Sequence, residues 1–462
     1  MDLDPALLAR LQFAFTISFH IIFPSFTIGL SAFIATLLVR WRITGREHLH
    51  RLARFWTRIF AVSFAMGVVS GIVLSYEIGT NWSRFSAVTG NVLGPLLGYE
   101  VLTAFFLEAT FLGIMLFGWR RVPPNLHVFS AIAVAVGTAI STFWILAANS
   151  WMQTPVGHEM RDGIAFPLDW WAIVFNPSFP YRIAHMLTAS YLTTAFVVLA
   201  VGARYLLAGR HIEEGRTMLR MAVGLSAVLA PLQFLIGDLH GLNTLAHQPI
   251  KVAAMEGHWD GTKPGDFHIF AWPDEKTETN RFALSVPRGS SLILTHKIDG
   301  LFPGLKSVPP SERPPVPNVF FAFRIMIGVG FAMIGAALFG AFLLWRGKLF
   351  ETRWYLRIVS FGWWTGFVAI LAGWIVTEQG WQPWLVHGIL RTADALSPVP
   401  AASLATTLAL FVLVYGIVFA AGIYYINRLI NHGPTGAAAE PPTMGAPARP
   451  FSAAHDAGRE AV

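Results

Sequence analysis

The sequence predicts an all-α polytopic membrane protein with about nine transmembrane helices, because it is rich in apolar residues and poor in charge. Hydrophobic residues make up 54% of the 462 positions and charged residues only 13%, whereas soluble domains carry about 25% charged residues. The apolar residues fall into nine runs that are long enough to cross a bilayer as helices. The predicted spans are 11–39, 57–78, 95–118, 128–149, 184–206, 220–239, 318–345, 357–377 and 403–426.

The connections between these spans alternate in charge, and this alternation predicts the orientation. The odd-numbered short connections hold most of the basic residues, including Arg40, Arg42, Arg46, Arg51, Arg54, Arg120, Arg121, Arg204, Arg210, Arg216, Arg220, Arg346, Lys348, Arg353 and Arg357. The positive-inside rule therefore places the N-terminus outside and the C-terminus inside. The long sixth connection, 240–317, is expected outside. Residues 1–432 are predicted to form one membrane domain, and the Ala/Pro/Gly-rich segment 433–462 a disordered cytoplasmic tail.

Composition also excludes several classes of function. The chain has no cysteine, which excludes disulfides, iron–sulfur clusters and thiolate-ligated haem. The net charge of +7 does not indicate nucleic-acid binding, because the basic residues lie mainly in short loops beside spans. The first apolar run is too long for a cleavable signal peptide.

Candidate metal ligands lie inside or at the ends of the apolar spans. They are His20, His185, Met326, Glu100 and Glu378, and the predicted orientation places all of them in the outer half of the membrane. Ionisable side chains are costly in hydrocarbon and usually mark a function there. A histidine and a methionine are a known ligand pair for low-spin haem. The sequence therefore predicts one haem between His185 and Met326, with His20 and a carboxylate available to further irons.

Two carboxylates on the third span suit proton transfer. Glu108 follows Glu100 by eight residues, which places it about two helical turns and roughly 12 Å deeper on nearly the same helix face. This ladder predicts a proton path toward the outer cluster. Ser141 on the fourth span is a candidate relay hydroxyl, and Trp374 lies one turn before Glu378 on the same face.

Two other functions fit parts of this pattern. A secondary transporter would use the carboxylates for proton coupling, but it is expected to show inverted repeats or broken helices, and the sequence shows neither. A membrane electron carrier would explain His185 and Met326 but would leave His20, Glu378 and Glu100 without a role.

Around these residues the chain resembles subunit I of the cytochrome bd-type quinol oxidases, over almost its whole length up to the tail. The matching segments are RLQFAFTISFHIIFPSFTIG at 10–29, GTNWS at 79–83, YEVLTAFFLEATFLGIMLFGW at 99–119, ILAANSWMQTPVG at 145–157, FRIMIG at 323–328 and GWIVTEQGWQPW at 373–384. In the long loop, QPIKVAAMEGHW at 248–259 resembles the family's quinol-oxidising segment.

The resemblance implies the following site residues. His185 and Met326 would ligate a low-spin haem b, with Arg324 against its propionates. Two high-spin haems, either b plus d or both b, would take His20 and Glu378 as axial ligands, with Glu100 close to the iron pair and Trp374 between the haems. Ser141 and Glu108 would lie on the proton route from the cytoplasm, and Lys251 and Glu256 at the quinol site.

The resemblance also implies the reaction and the partners. Ubiquinol or menaquinol would be oxidised at the outer side and O2 reduced to water with protons from the inner side, so that a proton motive force forms without pumping. The partners would be a membrane subunit II and a small single-span subunit, in the bacterial cytoplasmic (inner) membrane. The short loop suggests the branch that includes the cyanide-insensitive oxidases. One departure is Trp381, which stands where the family usually has an arginine. That removes a cation near the high-spin haems, and Arg391 is a candidate replacement.

Overall fold

The computed structural model of the chain describes residues 4–434 and is built mainly of long helices. The helices are α1 (Pro5–Thr44), α2 (Glu47–Asn81), α3 (Ser83–Glu100), α4 (Phe106–Phe117), α5 (Pro124–Gln153), α6 (Trp170–Val174), α7 (Phe179–Leu207), α8 (Ile212–His247), α9 (Pro249–Glu256), α10 (Gly289–Thr295), α11 (Val316–Trp345), α12 (Arg353–Phe361), α13 (Thr365–Gln379) and α14 (Ala401–His432). The predicted disordered tail lies outside the described residues from 435 onward.

The nine predicted spans are confirmed: within residues 4–434, nine helices are long and apolar enough to cross a membrane. Two of them are composite. A π-helical turn, Val101–Phe105, joins α3 to α4, and a 3₁₀ turn, Gly362–Trp364, joins α12 to α13. The helices extend past the apolar runs, because polar helical residues do not end a helix. The largest extension at a single end is that of the third, which begins at residue 83 instead of 95.

Strands occur only in the connections of the described chain and form three two-stranded antiparallel sheets. They are β1 (His158–Arg161) with β2 (Ile164–Pro167), β3 (Phe267–Asp274) with β4 (Thr279–Val286), and β5 (Trp384–Val386) with β6 (Leu390–Arg391). The prediction of an all-α membrane domain is confirmed for the spans, and these hairpins are additions to it.

The connections meet at two opposite ends of the bundle. One end carries residues 248–315 and is called the loop end here; the other carries the arginine-rich connections and is called the arginine end. Contacts across the loop end include Ser397 N to Asn81 O at 2.9 Å and Asn318 Nδ2 to Gln379 Oε1 at 3.0 Å. Contacts across the arginine end include Arg51 Nη2 to Glu214 Oε1 at 2.7 Å and Tyr205 Oη to Ile430 O at 2.7 Å. The segregation of arginines to one end agrees with the alternation in the sequence.

Helix α7 lies at the centre of the bundle and packs against α1, α5, α8, α12 and α13. Small residues permit the close approach that such packing needs in a membrane. A Cβ atom built on Gly29 of α1 would lie 2.4 Å from Thr194 Oγ1 and 2.9 Å from the Ser190 carbonyl oxygen on α7. At the same crossing, Thr194 Oγ1 donates to the Phe26 carbonyl oxygen at 2.8 Å. The α1–α7 contact therefore requires glycine at position 29.

The long connection is shorter than predicted and contains secondary structure. Helix α8 continues to His247 and α11 begins at Val316, so the loop proper covers residues 248–315 instead of 240–317. Helix α9, the β3–β4 hairpin and α10 fold within it. A hydrophobic cluster that includes Val252, Ala253 and Val319 holds α9 against α11.

We expect Gly29→Ala to destabilise the protein by about 1–3 kcal/mol, the usual cost of overpacking a close contact, since its methyl group would overlap Thr194 and Ser190. The matched control is Gly224→Ala on α8, where an added Cβ meets nothing within 4 Å. Thermal unfolding of the detergent-solubilised protein measures both. Equal melting temperatures for the two variants would contradict the proposed close contact.

Candidate functional site

The first candidate ligand, His185, lies in the second turn of α7 with a ring nitrogen that has no protein partner. Its Nδ1 atom is buried and forms no hydrogen bond within residues 4–434. The ring faces α8: a Cβ on Gly237 would lie 3.5 Å from His185 Cε1, and the ring centroid of His240 is 5.4 Å away. A buried imidazole without a partner is costly, so this position suits a histidine that binds a guest group.

Met326 and Trp374 lie on neighbouring helices. Met326 is in the third turn of α11 and faces α13, where a Cβ on Gly373 would lie 3.0 Å from the Met326 sulfur. Trp374 packs instead against a small cluster that contains Leu146 and Phe179. Helices α7 and α11 both pack against α8 and α13, so His185 and Met326 belong to one four-helix group near the loop end.

The ring of His20 is held by α2. Its Nδ1 atom lies 3.0 Å from Ser70 Oγ, and Ser70 Oγ donates to the Gly67 carbonyl oxygen at 2.9 Å. In the tautomer with the proton on Nδ1, His20 donates to Ser70 and the lone pair of Nε2 is free. A second hydrogen bond of this kind orients metal-binding histidines in general. His20 is thus prepared to act as a ligand.

Glu378 ends α13 inside a buried polar network. Asn149 Nδ2 donates to Glu378 Oε1 at 3.0 Å, and Arg182 Nη1 donates to Asn149 Oδ1 at 3.1 Å. Glu378 is therefore not the solvated helix end that its neighbours Gln379 and Gly380 could have implied.

The two carboxylates of the third span face the same helix, α5. Ser141 donates to Glu100 Oε1 at 2.7 Å, and a Cβ on Gly137 would lie 2.6 Å from Glu108 Cγ. In a regular α-helix, positions i and i+8 differ by roughly 80°. The π turn at Val101–Phe105 takes more residues per turn, and so returns Glu108 to the face of Glu100. The structure thus pairs Ser141 with Glu100, whereas the sequence had grouped it with Glu108.

The residues expected at the quinol site lie on two different faces of α9. Glu256 Oε2 accepts from Arg324 Nη2 at 3.0 Å and from Ser290 Oγ at 2.6 Å. Lys251 points the other way, toward α5 and α13, and donates to Gln153 Oε1 at 2.9 Å. Positions five apart on a helix differ by about 140°. The structure therefore does not bring Lys251 and Glu256 together.

Arg324 joins the loop to α11. Besides its ion pair with Glu256, it donates from Nε to the His268 carbonyl oxygen at 2.5 Å and lies over the Phe320 ring at 4.6 Å. Burial, with the nearby Arg324 charge adding to it, lowers the pKa of His268. The structure pairs Arg324 with a protein carboxylate, and its contact with a haem propionate stays a prediction.

Several buried ionisable residues were missed from the sequence, and Glu77 and Arg182 are two of them. Glu77 on α2 is 2% exposed, and neither carboxyl oxygen has a hydrogen-bond partner within the described residues. Arg182, three residues before His185, is 6% exposed. Glu77 lies just inside the end of the predicted span 57–78 and Arg182 two residues before the span 184–206. Charged residues at span edges normally reach solvent, so only a search that included both edges could have found them.

The candidate ligands do not form a cage for a bare ion. No group of three or more His, Cys, Asp or Glu side chains in residues 4–434 could hold a metal. Isolated ligands are expected where a macrocycle supplies most donors to iron. The donor set, the free Nε2 of His20 and the unpartnered Nδ1 of His185 therefore fit haem.

The chain is similar to known proteins over most of its length. The sequence profile of the family described as "Cytochrome bd terminal oxidase subunit I" matches residues 8–434. The chain is 37% identical to cytochrome bd ubiquinol oxidase subunit 1 of Bacillus subtilis, over 92% of this chain and 93% of that protein. It is 32% identical to cytochrome bd-II ubiquinol oxidase subunit 1 of Escherichia coli, over 95% and 98%. The bd oxidase structure from Geobacillus thermodenitrificans superposes with a TM-score of 0.86 at 30% identity, covering 94% of this chain and all of that one.

We expect Arg324→Gln to loosen the loop, because breaking a buried ion pair costs about 3–5 kcal/mol and the His268 carbonyl oxygen loses its donor. Trypsin should then cut faster after Arg281 and Arg288, whose side chains are 57% and 54% exposed. Arg346→Gln, at the arginine end of the same helix, is the control and should be cut at the wild-type rate. An unchanged cleavage rate in Arg324→Gln would show that this residue does not hold the loop.

Proposed function

We propose which residues carry out each step of a membrane quinol oxidase, from the premise that the chain belongs to the family of cytochrome bd terminal oxidase subunit I. Membership establishes a multi-pass quinol oxidase subunit that uses haem and pairs with a subunit II. The observation that carries the proposal is the arrangement of ligands and carboxylates. His20, His185 and Met326 lie without charged partners in spans near the loop end, and Glu100 and Glu108 share one face of the third span.

The ligand assignments rest on the contacts described above. His185 and Met326 would hold a low-spin haem b within the group formed by α7, α8, α11 and α13. His20, oriented by Ser70, and Glu378 would hold two high-spin haems, either b plus d or both b, with Glu100 nearby. When bound, these haems supply the electron transfer and the iron at which O2 is reduced to water.

Quinol oxidation would take place beside α9 in the loop. Glu256 is the candidate acceptor for a quinol proton, because it is a carboxylate held at the edge of the bundle by Arg324 and Ser290. Arg324 and Ser290 fix the position of the Glu256 carboxylate, and the surrounding loop gives the proton a short way out. The relatives are named for ubiquinol and for menaquinol, so either quinol suits this site.

Protons for water formation would arrive from the arginine end past Glu108. Glu108 has a buried carboxyl oxygen without a partner in the described chain, and it lies on the same face of α5 as the Ser141–Glu100 pair. Such a carboxylate can pass a proton by changing its rotamer. With quinol protons released at the loop end, the two proton reactions face opposite sides, and each proton crossing at 100 mV conserves about 2.3 kcal/mol.

The proposed orientation in the membrane follows from the arginine-rich connections. The arginine end would face the cytoplasm and the loop end the outside of a bacterial cytoplasmic (inner) membrane. The N-terminus would then be outside and the C-terminus inside. A small single-span subunit is the remaining partner that we propose.

We expect His185→Ala and Met326→Leu to remove the low-spin haem signal from the reduced-minus-oxidised spectrum, since each deletes one of two axial ligands. Met333→Leu, two turns further along α11 and 5% exposed in the core, is the control and should keep the spectrum. The measurement uses purified complex of equal protein content, with and without carbon monoxide. A wild-type spectrum in either ligand variant would reject the assignment.

We expect Glu108→Gln to slow O2 reduction about 10²-fold, the lower range for loss of a positioned proton-transfer group, while quinol still reduces the low-spin haem. Glu351→Gln, on an exposed turn at the arginine end, is the matched control. Stopped-flow absorbance separates haem reduction from turnover. Normal turnover in Glu108→Gln would refute this proton path.

A further inference from the structure

A group of buried, mostly polar side chains fills the space between α5, α7, α9 and α13 at the loop end, and we call it the cation cluster. Its members are Asn149, Gln153, Arg182, Gln248, Lys251, Glu378 and Trp381. Lys251 is 3% exposed and Arg182 is 6% exposed. The cluster lies beside the ligand candidate Glu378 and apart from the Glu256 side of α9.

The cation cluster contains more positive than negative charge. Lys251 Nζ donates only to neutral amide oxygens, Gln153 Oε1 at 2.9 Å and Gln248 Oε1 at 3.0 Å. Arg182 likewise donates to Asn149 Oδ1. Glu378 is the carboxylate whose negative charge stabilises both cations. Buried charges in proteins are normally paired. Two cations facing one carboxylate leave a deficit of one negative charge.

The fully buried atoms of the cation cluster that lack a hydrogen-bond partner are all donors. Within the described chain they are Arg182 Nε, Gln153 Nε2 and Trp381 Nε1. A buried donor without an acceptor destabilises the folded protein. A guest that accepts hydrogen bonds and carries negative charge suits such donors, and a carboxylate meets both conditions.

Lys251 reaches the position where this chain lacks the family's arginine. Its stem lies against Gly380, where an added Cβ would come within 2.8 Å of Lys251 Cε and Cγ. Its ammonium lies 6.0 Å from the centroid of the Trp381 ring. Arg391, the replacement considered from the sequence, bonds to Glu312 and lies over Trp384 at 5.0 Å. The cation beside residue 381 is therefore Lys251.

We propose that Arg182 and Lys251 form a carboxylate-binding site for a haem propionate, and that Lys251 replaces the charge that Trp381 does not provide. This inference rests on the proposed function, since it takes haem as the guest. It removes Lys251 from the quinol site and leaves Glu256 and Arg324 there. The short helix α9 thus serves two sites, one on each face.

The test uses the purified oxidase complex and two readouts that do not depend on turnover. These are haem content per protein and the midpoint potential of the high-spin haems. Lys251→Met should lower the haem content at least twofold. It should also shift the oxidised-to-reduced ratio at fixed potential about tenfold toward oxidised, or 59 mV for a one-electron couple, because a nearby cation favours the reduced haem. Lys251→Arg should stay near wild type.

The double variant Lys251→Met/Trp381→Arg makes the test specific. If Lys251 acts as the missing cation, an arginine at 381 should restore both readouts, even where Lys251→Met alone accumulates poorly. Lys306→Met, a 48% exposed lysine in the same loop, is the control and should change neither. Normal haem content and potential in Lys251→Met, with only a raised KM for quinol, would overturn the proposal, as would failure of both arginine variants to restore them. A wild-type complex without haem would instead refute the proposed function itself.

Discussion

The structure depends on how an apolar bundle accommodates the few charged groups that it buries. A charge in hydrocarbon must be paired, neutralised or bound to a guest. Arg324 and Glu256 meet this condition with each other, at 3.0 Å. Lys251 and Arg182 do not, because their direct partners are amide oxygens. The Arg324–Glu256 pair therefore needs no ligand, whereas Lys251 and Arg182 gain a direct partner of opposite charge only when an anionic guest binds.

Helix α7 links the packing of the bundle to its chemistry. Near the loop end it carries Arg182 and His185, one turn apart, and further on it presents Thr193 and Thr194 to glycines of α13 and α1. Those close contacts fix the height and rotation of α7. The directions of the Arg182 and His185 side chains then follow from the rotation of the helix, so a shift at Gly29 or Gly366 would also move the candidate ligand.

The spans and the ligand candidates could be predicted from the sequence, because apolar run length and the cost of buried ionisable groups both leave local patterns. The directions of the side chains could not. The π turn that aligns Glu108 with Glu100 has no recognisable composition, and the opposite orientations of Lys251 and Glu256 depend on the rotation of α9 against its neighbours. Arg182 and Glu77 lie at span edges, where a sequence cannot separate a buried charge from a solvated one.

The position of α9 gives the substitution at residue 381 a physical meaning. Tryptophan cannot provide the charge of arginine, but its face attracts a cation, and Lys251 approaches that face with its stem along Gly380. Burial, together with the nearby charge of Arg182, holds the pKa of Lys251 well below its usual range. A carboxylate guest would reverse that effect, because an opposite charge at close range favours the charged ammonium. Guest binding and the charge state of Lys251 are therefore coupled, and the cluster is most stable when both are present.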